Sequence, residues 1–175
     1  MKYLTIIRHA KSDWGTFGGD DFSRILAERG RKAAPLMGQR LKSEFIDKGA
    51  IPNVDTIISS PATRAITTAK LAAAELGFPA DQIVEEEGIY EASTQRLVEI
   101  VRGISDEYDH AILFGHNPGF ESLARTLAPS FYGDSDGKFP TCGVAIVKID
   151  ADSWEWIDEV LCELVDFLYP RQTTE

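Results

Sequence analysis

Two histidines and two arginines draw attention in this sequence because each lies at, or a few residues beyond, the end of a short apolar run. Arg8-His9 comes after residues 3–7, Ser59-Ser60-Pro61-Ala62-Thr63-Arg64 after 56–58, and Gly115-His116-Asn117-Pro118 after 111–114. A neutral imidazole is a good nucleophile toward phosphorus, and near pH 7 its lone pair is available at little cost. Arginine forks recognise tetrahedral oxyanions in a bidentate way. Brought together, these groups describe a pocket for a dianion, in which one ring could take up a phosphoryl group and pass it to water. The arginines and the second ring would stabilise charge on the equatorial oxygens, a task that a metal performs elsewhere. An acid is still wanted to protonate an alkoxide leaving group. Glu91, in Gly88-Ile89-Tyr90-Glu91-Ala92-Ser93, is the candidate by position, against the competing reading of a solvated surface carboxylate.

Such chemistry requires that three distant stretches meet. The runs 3–7, 56–58 and 111–114 are continuously apolar, as expected of parallel strands covered on both faces. A fourth run, Val144–Ile149, and residues 154–157 flank 150–153 and suggest a hairpin that closes one sheet edge. Helix-period segments lie between the strands. Residues 28–45 place Ala33, Met37, Leu41 and Phe45 on one stripe, with Pro35 expected to start or kink the regular helix. Residues 62–76 end at Gly77 with Pro79 beyond, and 94–101 and 119–127 complete the set. Alternating strands and helices imply an α/β fold, a mostly parallel central sheet between two helical layers. Ligands in such sheets bind beyond the carboxyl ends of the strands, where all three polar clusters fall. Ser60 then Pro61, and Asn117 then Pro118, each read as an N-cap followed by a first-turn proline. Arg64 falls in a first helical turn, and helix starts favour phosphate.

Length suits one domain over 1–175. The formal net charge of −10 argues against nucleic acid or an anionic membrane as partner, while leaving room for a local anionic substrate. No stretch reaches the roughly 20 apolar residues of a membrane span, and residues 1–7 are too short for a signal peptide, so a cytoplasmic protein is expected. Cys142 and Cys162 read as buried free thiols. His110 reads as a hydrogen-bonded structural residue, and Trp14, Trp154 and Trp156 as packing residues. Residues 15–21 and 133–138 read as loops, and the acidic runs 85–87 and 106–109 as solvated surface. Lys11 and Ser12 suit a phosphate contact or a surface loop equally well. No histidine pair has ligand spacing, and neighbouring guanidinium groups repel cations, so neither metal nor cofactor is expected.

Leu4-Thr5-Ile6-Ile7-Arg8-His9-Ala10-Lys11-Ser12 resembles the signature of the histidine phosphatase (phosphoglycerate mutase-like) superfamily, and the chain is most similar to its small SixA-type phosphohistidine phosphatases. The likeness extends through Asp21-Phe22-Ser23-Arg24, Arg29-Gly30, Ser59-Ser60-Pro61 with Arg64, Tyr90-Glu91-Ala92, Gly115-His116-Asn117-Pro118 and Pro140-Thr141. It implies a three-layer phosphoglycerate mutase-like sandwich, His9 as nucleophile, Arg8 and Arg64 as phosphate clamps and His116 as the second pocket histidine. Glu91 matches the superfamily's acid position, where small SixA-type enzymes vary. Arg24 is implied as a further phosphate contact. Ala10 replaces the usual glycine of the signature, and Ile25 stands where proline is frequent. The substrate implied is a phosphohistidine protein or a small phosphomonoester. A phosphomutase is the second reading, disfavoured because no inserted cap segment is present; a non-catalytic phosphate-binding module is the third. Oligomeric state stays open.

Overall fold

The computed structural model describes residues 1–15 and 18–170. A six-stranded sheet forms its centre, in the order β3-β2-β4-β1-β5-β6. Strands β1 (Lys2–Arg8), β2 (Thr56–Ser59), β3 (Val84–Glu85) and β4 (His110–Gly115) run parallel to their neighbours among the four. β5 (Val144–Ile149) lies antiparallel to β1, and β6 (Cys162–Leu168) antiparallel to β5. Helices α1 (Glu28–Leu41) and α2 (Thr63–Leu76) cover one face, α3 (Thr94–Arg102) and α4 (Gly119–Leu127) the other.

The period-two geometry of a strand sorts the apolar runs onto both faces. Leu4, Ile6, Ala111, Leu113, Ala145 and Val147 pack with Leu97, Val101, Phe120 and Leu123 of α3 and α4. Ile7, Ile57, Ile112, Phe114, Val144 and Ile146 pack with Met37, Leu41, Ala69 and Ala73 of α1 and α2. Three layers result, as the sequence implied. Register then aligns the functional ends. Arg8 pairs with Gly115 and Ser59 with Phe114, so β1, β4 and β2 finish at one level, side by side.

Helix α1 begins at Glu28 and continues past Pro35, so the regular helix starts well before the proline and not at it. It buries Gly30, Ala34, Met37, Gly38 and Leu41, while Ala33 and Phe45 of the expected stripe are only half-buried. Two close approaches explain the rotated face. A Cβ on Gly38 would stand 2.7 Å from the Ala72 carbonyl oxygen of α2, and one on Gly30 would stand 2.2 Å from that of Lys11. Beyond Leu41 the chain widens into a π turn, Lys42–Ile46, which displaces Phe45. Gly77, at φ 70°, closes α2 in the left-handed conformation expected of it.

The predicted hairpin needs correction. Residues Trp154–Trp156 form a 3-10 turn, and the partner of β5 is β6. Trp154 is fully buried, with its indole N–H on the Tyr108 carbonyl and its backbone N–H on Asp106. The two-residue β3, within what read as solvated acidic surface, was not foreseen, because its exposed Val84 and Glu85 show no apolar pattern. Both cysteines are free, and Cys142 is buried as expected, whereas Cys162 on edge strand β6 is only half-buried. Among the described residues, no helix is long and apolar enough to cross a membrane.

Candidate active site

His9 leaves β1 with its backbone N–H on the Gly115 carbonyl of the neighbouring strand, at 2.9 Å. Its ring is 6% exposed, and Nδ1 lies 2.7 Å from the Ala10 carbonyl oxygen. A carbonyl only accepts, so Nδ1 carries the proton and Nε2 keeps its lone pair. Burial pushes the His9 pKa down to about 3; the Ala10 hydrogen bond opposes this, and His116, Arg8 and Arg64 add to it. A buried, neutral imidazole of fixed tautomer follows.

The His116 ring centroid lies 5.3 Å from that of His9. Its Nε2 is 2.8 Å from Ser60 Oγ, which also accepts the Ala62 backbone N–H at 3.2 Å. Burial first, and Arg64 next, push its pKa down to about 4. Ser60 was expected to cap α2, but the helix starts at Thr63 after Ala62. Freed from that place, the hydroxyl steers the second histidine. Asn117 does cap α4: its Oδ1 accepts the Glu121 N–H at 3.2 Å, although Pro118 holds the formal N-cap position.

Three arginines complete the wall. Arg8 donates from Nη1 to the Phe139 carbonyl at 3.0 Å. Arg64, 5% exposed in the first turn of α2, donates from Nη1 to the Asp21 carbonyl at 2.6 Å and from Nη2 to Asp21 Oδ2 at 3.0 Å. Arg24, also 5% exposed, pairs with Asp21 Oδ1 at 3.3 Å, and its Cζ stands over the Trp14 ring, 3.4 Å from the ring centre. Nε of Arg8, Arg24 and Arg64, Nη1 of Arg24 and Nδ1 of His116 are buried without a protein partner. Buried donors are costly unless satisfied, so this set suits an incoming oxyanion.

All six residues singled out from sequence, His9, His116, Glu91, Arg8, Arg64 and Arg24, line one cavity of about 480 Å³. Glu91 stands at its mouth, exposed, with φ at 59°. Asp21 and Tyr90 line the same space and carried no individual role in the sequence reading, although both sit inside motifs quoted there. Trp14 is corrected from packing residue to cavity rim: it is 70% exposed. Trp156 is 46% exposed, so Trp154 alone of the three is a core residue. His110 is structural, between Thr5 Oγ1 at 2.8 Å and the Pro52 carbonyl at 2.9 Å. Among the described residues, no three His, Cys, Asp or Glu side chains are grouped to hold a metal ion.

Imidazole and guanidinium groups are thus gathered in one cavity beyond the strand ends of a three-layer α/β fold. Residues 4–96 match the sequence family described as the histidine phosphatase superfamily (branch 1), more than half of this chain, and the protein belongs to that superfamily. An uncharacterized protein of Mycobacterium leprae (strain TN) is 28% identical over 173 residues, spanning 94% of this chain and 100% of its own. The putative phosphohistidine phosphatase SixA from Nakamurella multipartitia superposes with a TM-score of 0.77 at 21% identity, covering 97% of this chain and 96% of its own. The putative phosphohistidine phosphatase SixA from Agrobacterium tumefaciens gives 0.72 at 26% identity, covering 97% and 99%.

Proposed function

We propose that the protein is a metal-independent phosphatase acting on a phosphohistidine protein or a small phosphomonoester through a phosphoryl intermediate on His9. The observation that carries this reading is the contact of His9 Nδ1 with the Ala10 carbonyl, which leaves a neutral Nε2 inside a cavity lined by arginines. Nε2 attacks phosphorus, and the P–O or P–N bond to the leaving group breaks. The imidazole becomes cationic, and the Nδ1–H···O contact stabilises that charge, as an orienting carboxylate does in a triad. Arg8, Arg24 and Arg64 hold the equatorial oxygens, and His116 supplies a further donor. Glu91 gives its proton to an alkoxide leaving group. Water then attacks the phosphoimidazole, Glu91 takes the water proton, the P–N bond breaks, and phosphate leaves with His9 neutral again.

Two supports stand beside the geometry. The relatives of the same fold are named putative phosphohistidine phosphatases, and another SixA structure, 18% identical to this chain, is a complex with tungstate, itself a tetrahedral oxyanion. The guanidinium groups supply the positive charge that a metal would bring, and would repel one. Two free thiols fit the cytoplasm as the compartment. Turnover of an aryl phosphate and of a phosphohistidine protein, with and without chelator, tests the proposal. Turnover should survive chelation and fall at least ~10³-fold in His9→Ala. Loss on chelation would remove the metal-free claim, and full activity of His9→Ala would remove the intermediate.

A further inference from the structure

Three guanidinium groups around one small cavity repel one another and must be held apart by something fixed. Two of them meet on Asp21. Its Oδ2 accepts from Arg64 Nη2 at 3.0 Å and from the Tyr90 hydroxyl at 2.5 Å, while Oδ1 stands 3.3 Å from Arg24 Nη2. Its main-chain carbonyl accepts from Arg64 Nη1 at 2.6 Å and from the Arg24 backbone N–H at 3.2 Å. A guanidinium is planar, so pinning both terminal nitrogens of Arg64 also fixes the direction of its Nε, which is buried with no protein acceptor. Arg24 is pinned through one nitrogen and keeps Nε and Nη1 in the same state. Tyr90, tethered to the same carboxylate, stands edge-on to His116 with ring centres 5.4 Å apart.

We infer that Asp21 is a positioning residue of the phosphoryl site: it aims Arg64 and Arg24 at the phosphoryl oxygens and, through Tyr90, steadies the His116 ring. The inference rests on the phosphatase reading for its effect on turnover, but not for its effect on anion binding. An acid role belongs elsewhere, because the Tyr90 hydrogen bond, and after it Arg64, hold the Asp21 carboxyl below the usual carboxylate range despite some desolvation. Asp21 is ionised at neutral pH and has no proton to give. A carboxylate at the wall of an anion pocket also repels the substrate, so its charge serves the pocket only through the arginines it orients.

The two effects have opposite signs, which makes them separable. Asp21→Asn keeps the size but loses the charge and one acceptor oxygen. Misaimed arginines would lower kcat/KM for an aryl phosphate by about 10- to 100-fold and weaken inorganic phosphate binding by about 3- to 10-fold. Relief of repulsion alone would tighten phosphate binding and leave turnover intact, and that result would overturn the inference. A double-mutant cycle locates the effect. In an Arg64→Ala background, Asp21→Asn should cost less than about 3-fold more, because its main partner is gone. An equal loss in both backgrounds would also overturn it. Thermal melts report folding, and if Asp21→Asn does not fold, Tyr90→Phe removes one hydrogen bond without changing charge. It should lower kcat/KM by about 3- to 10-fold, and unchanged turnover would count against the tether. If the wild-type protein binds phosphate but turns over no phosphate ester, the phosphatase reading fails, and the same cycle read by phosphate calorimetry still decides the role of Asp21.

Discussion

Acidification should destabilise this protein through its histidines, and His110 isolates the effect because it lies outside the cavity. Burial pushes its pKa down to about 4, while the Pro52 hydrogen bond and Asp55 work in the other direction. An unfolded chain returns the ring to about 6.5, so between those values the unfolded state binds more protons than the folded one. Stability therefore rises with pH across this window, is fully present above about 6.5, and is lost as the pH falls toward 4. Integrated over the window, His110 contributes about 3 kcal/mol, a large share of the 5–15 kcal/mol typical of a domain. His9 and His116, pushed down to about 3 and about 4, act in the same direction. Each takes up nearly one proton on unfolding near pH 5, worth about 1.4 kcal/mol per pH unit. The assay is urea unfolding at half-unit steps between pH 6.5 and 4.5, on wild type and His110→Asn. Losing its two hydrogen bonds lowers the variant's stability at every pH, so the informative quantity is the slope. It should fall by about one third, because one of three comparable histidines no longer titrates. An unchanged slope would refute the picture of His110 as a buried neutral ring.

Two further outcomes follow from single contacts. Gly30→Ala drives a Cβ against the Lys11 carbonyl oxygen, 2.2 Å from its ideal position, and should destabilise by about 1–3 kcal/mol in urea unfolding. It should also lower turnover, since Lys11 belongs to the segment that leaves His9; turnover preserved at full stability would contradict the close approach. Glu91→Gln should slow hydrolysis of alkyl phosphates more than of nitrophenyl phosphate, whose leaving group needs no proton. Equal slowing would argue against the acid role.

Much of this arrangement is legible in the amino-acid order. Continuous apolar runs mark the covered parallel strands, and the polar cluster after each run marks the level at which β1, β2 and β4 end, with Arg8 opposite Gly115 and Ser59 opposite Phe114. His9, His116, Arg8 and Arg64 needed only that shared level to be brought together, Glu91 was a candidate by position that the family resemblance supported, and Arg24 came with the resemblance alone. What stayed hidden depends on tertiary partners. Ser60 reads as a helix cap until the His116 ring arrives to claim its hydroxyl. Asp21 sits in a stretch whose composition says loop, and its value lies in its pairing with two arginines, Arg24 three residues on and Arg64 in the first turn of α2. Edge strand β6 alternates imperfectly, with Glu163 exposed and Leu164 half-buried, while Trp154 and Trp156 mimic strand residues through their bulk. The rotated face of α1 is set by Gly30 and Gly38, residues that a search for apolar stripes passes over.

The chemical identity of the trapped intermediate tests the central claim most directly. The protein, mixed with labelled aryl phosphate and quenched in alkali, should carry an acid-labile phosphoryl group on Nε2 of His9, mapped by peptide fragmentation and phosphorus NMR. Nδ1 already bonds to the Ala10 carbonyl and has no lone pair to give. Label on Nδ1, on His116 or on a carboxylate, or label retained at wild-type level in His9→Ala, would contradict the account.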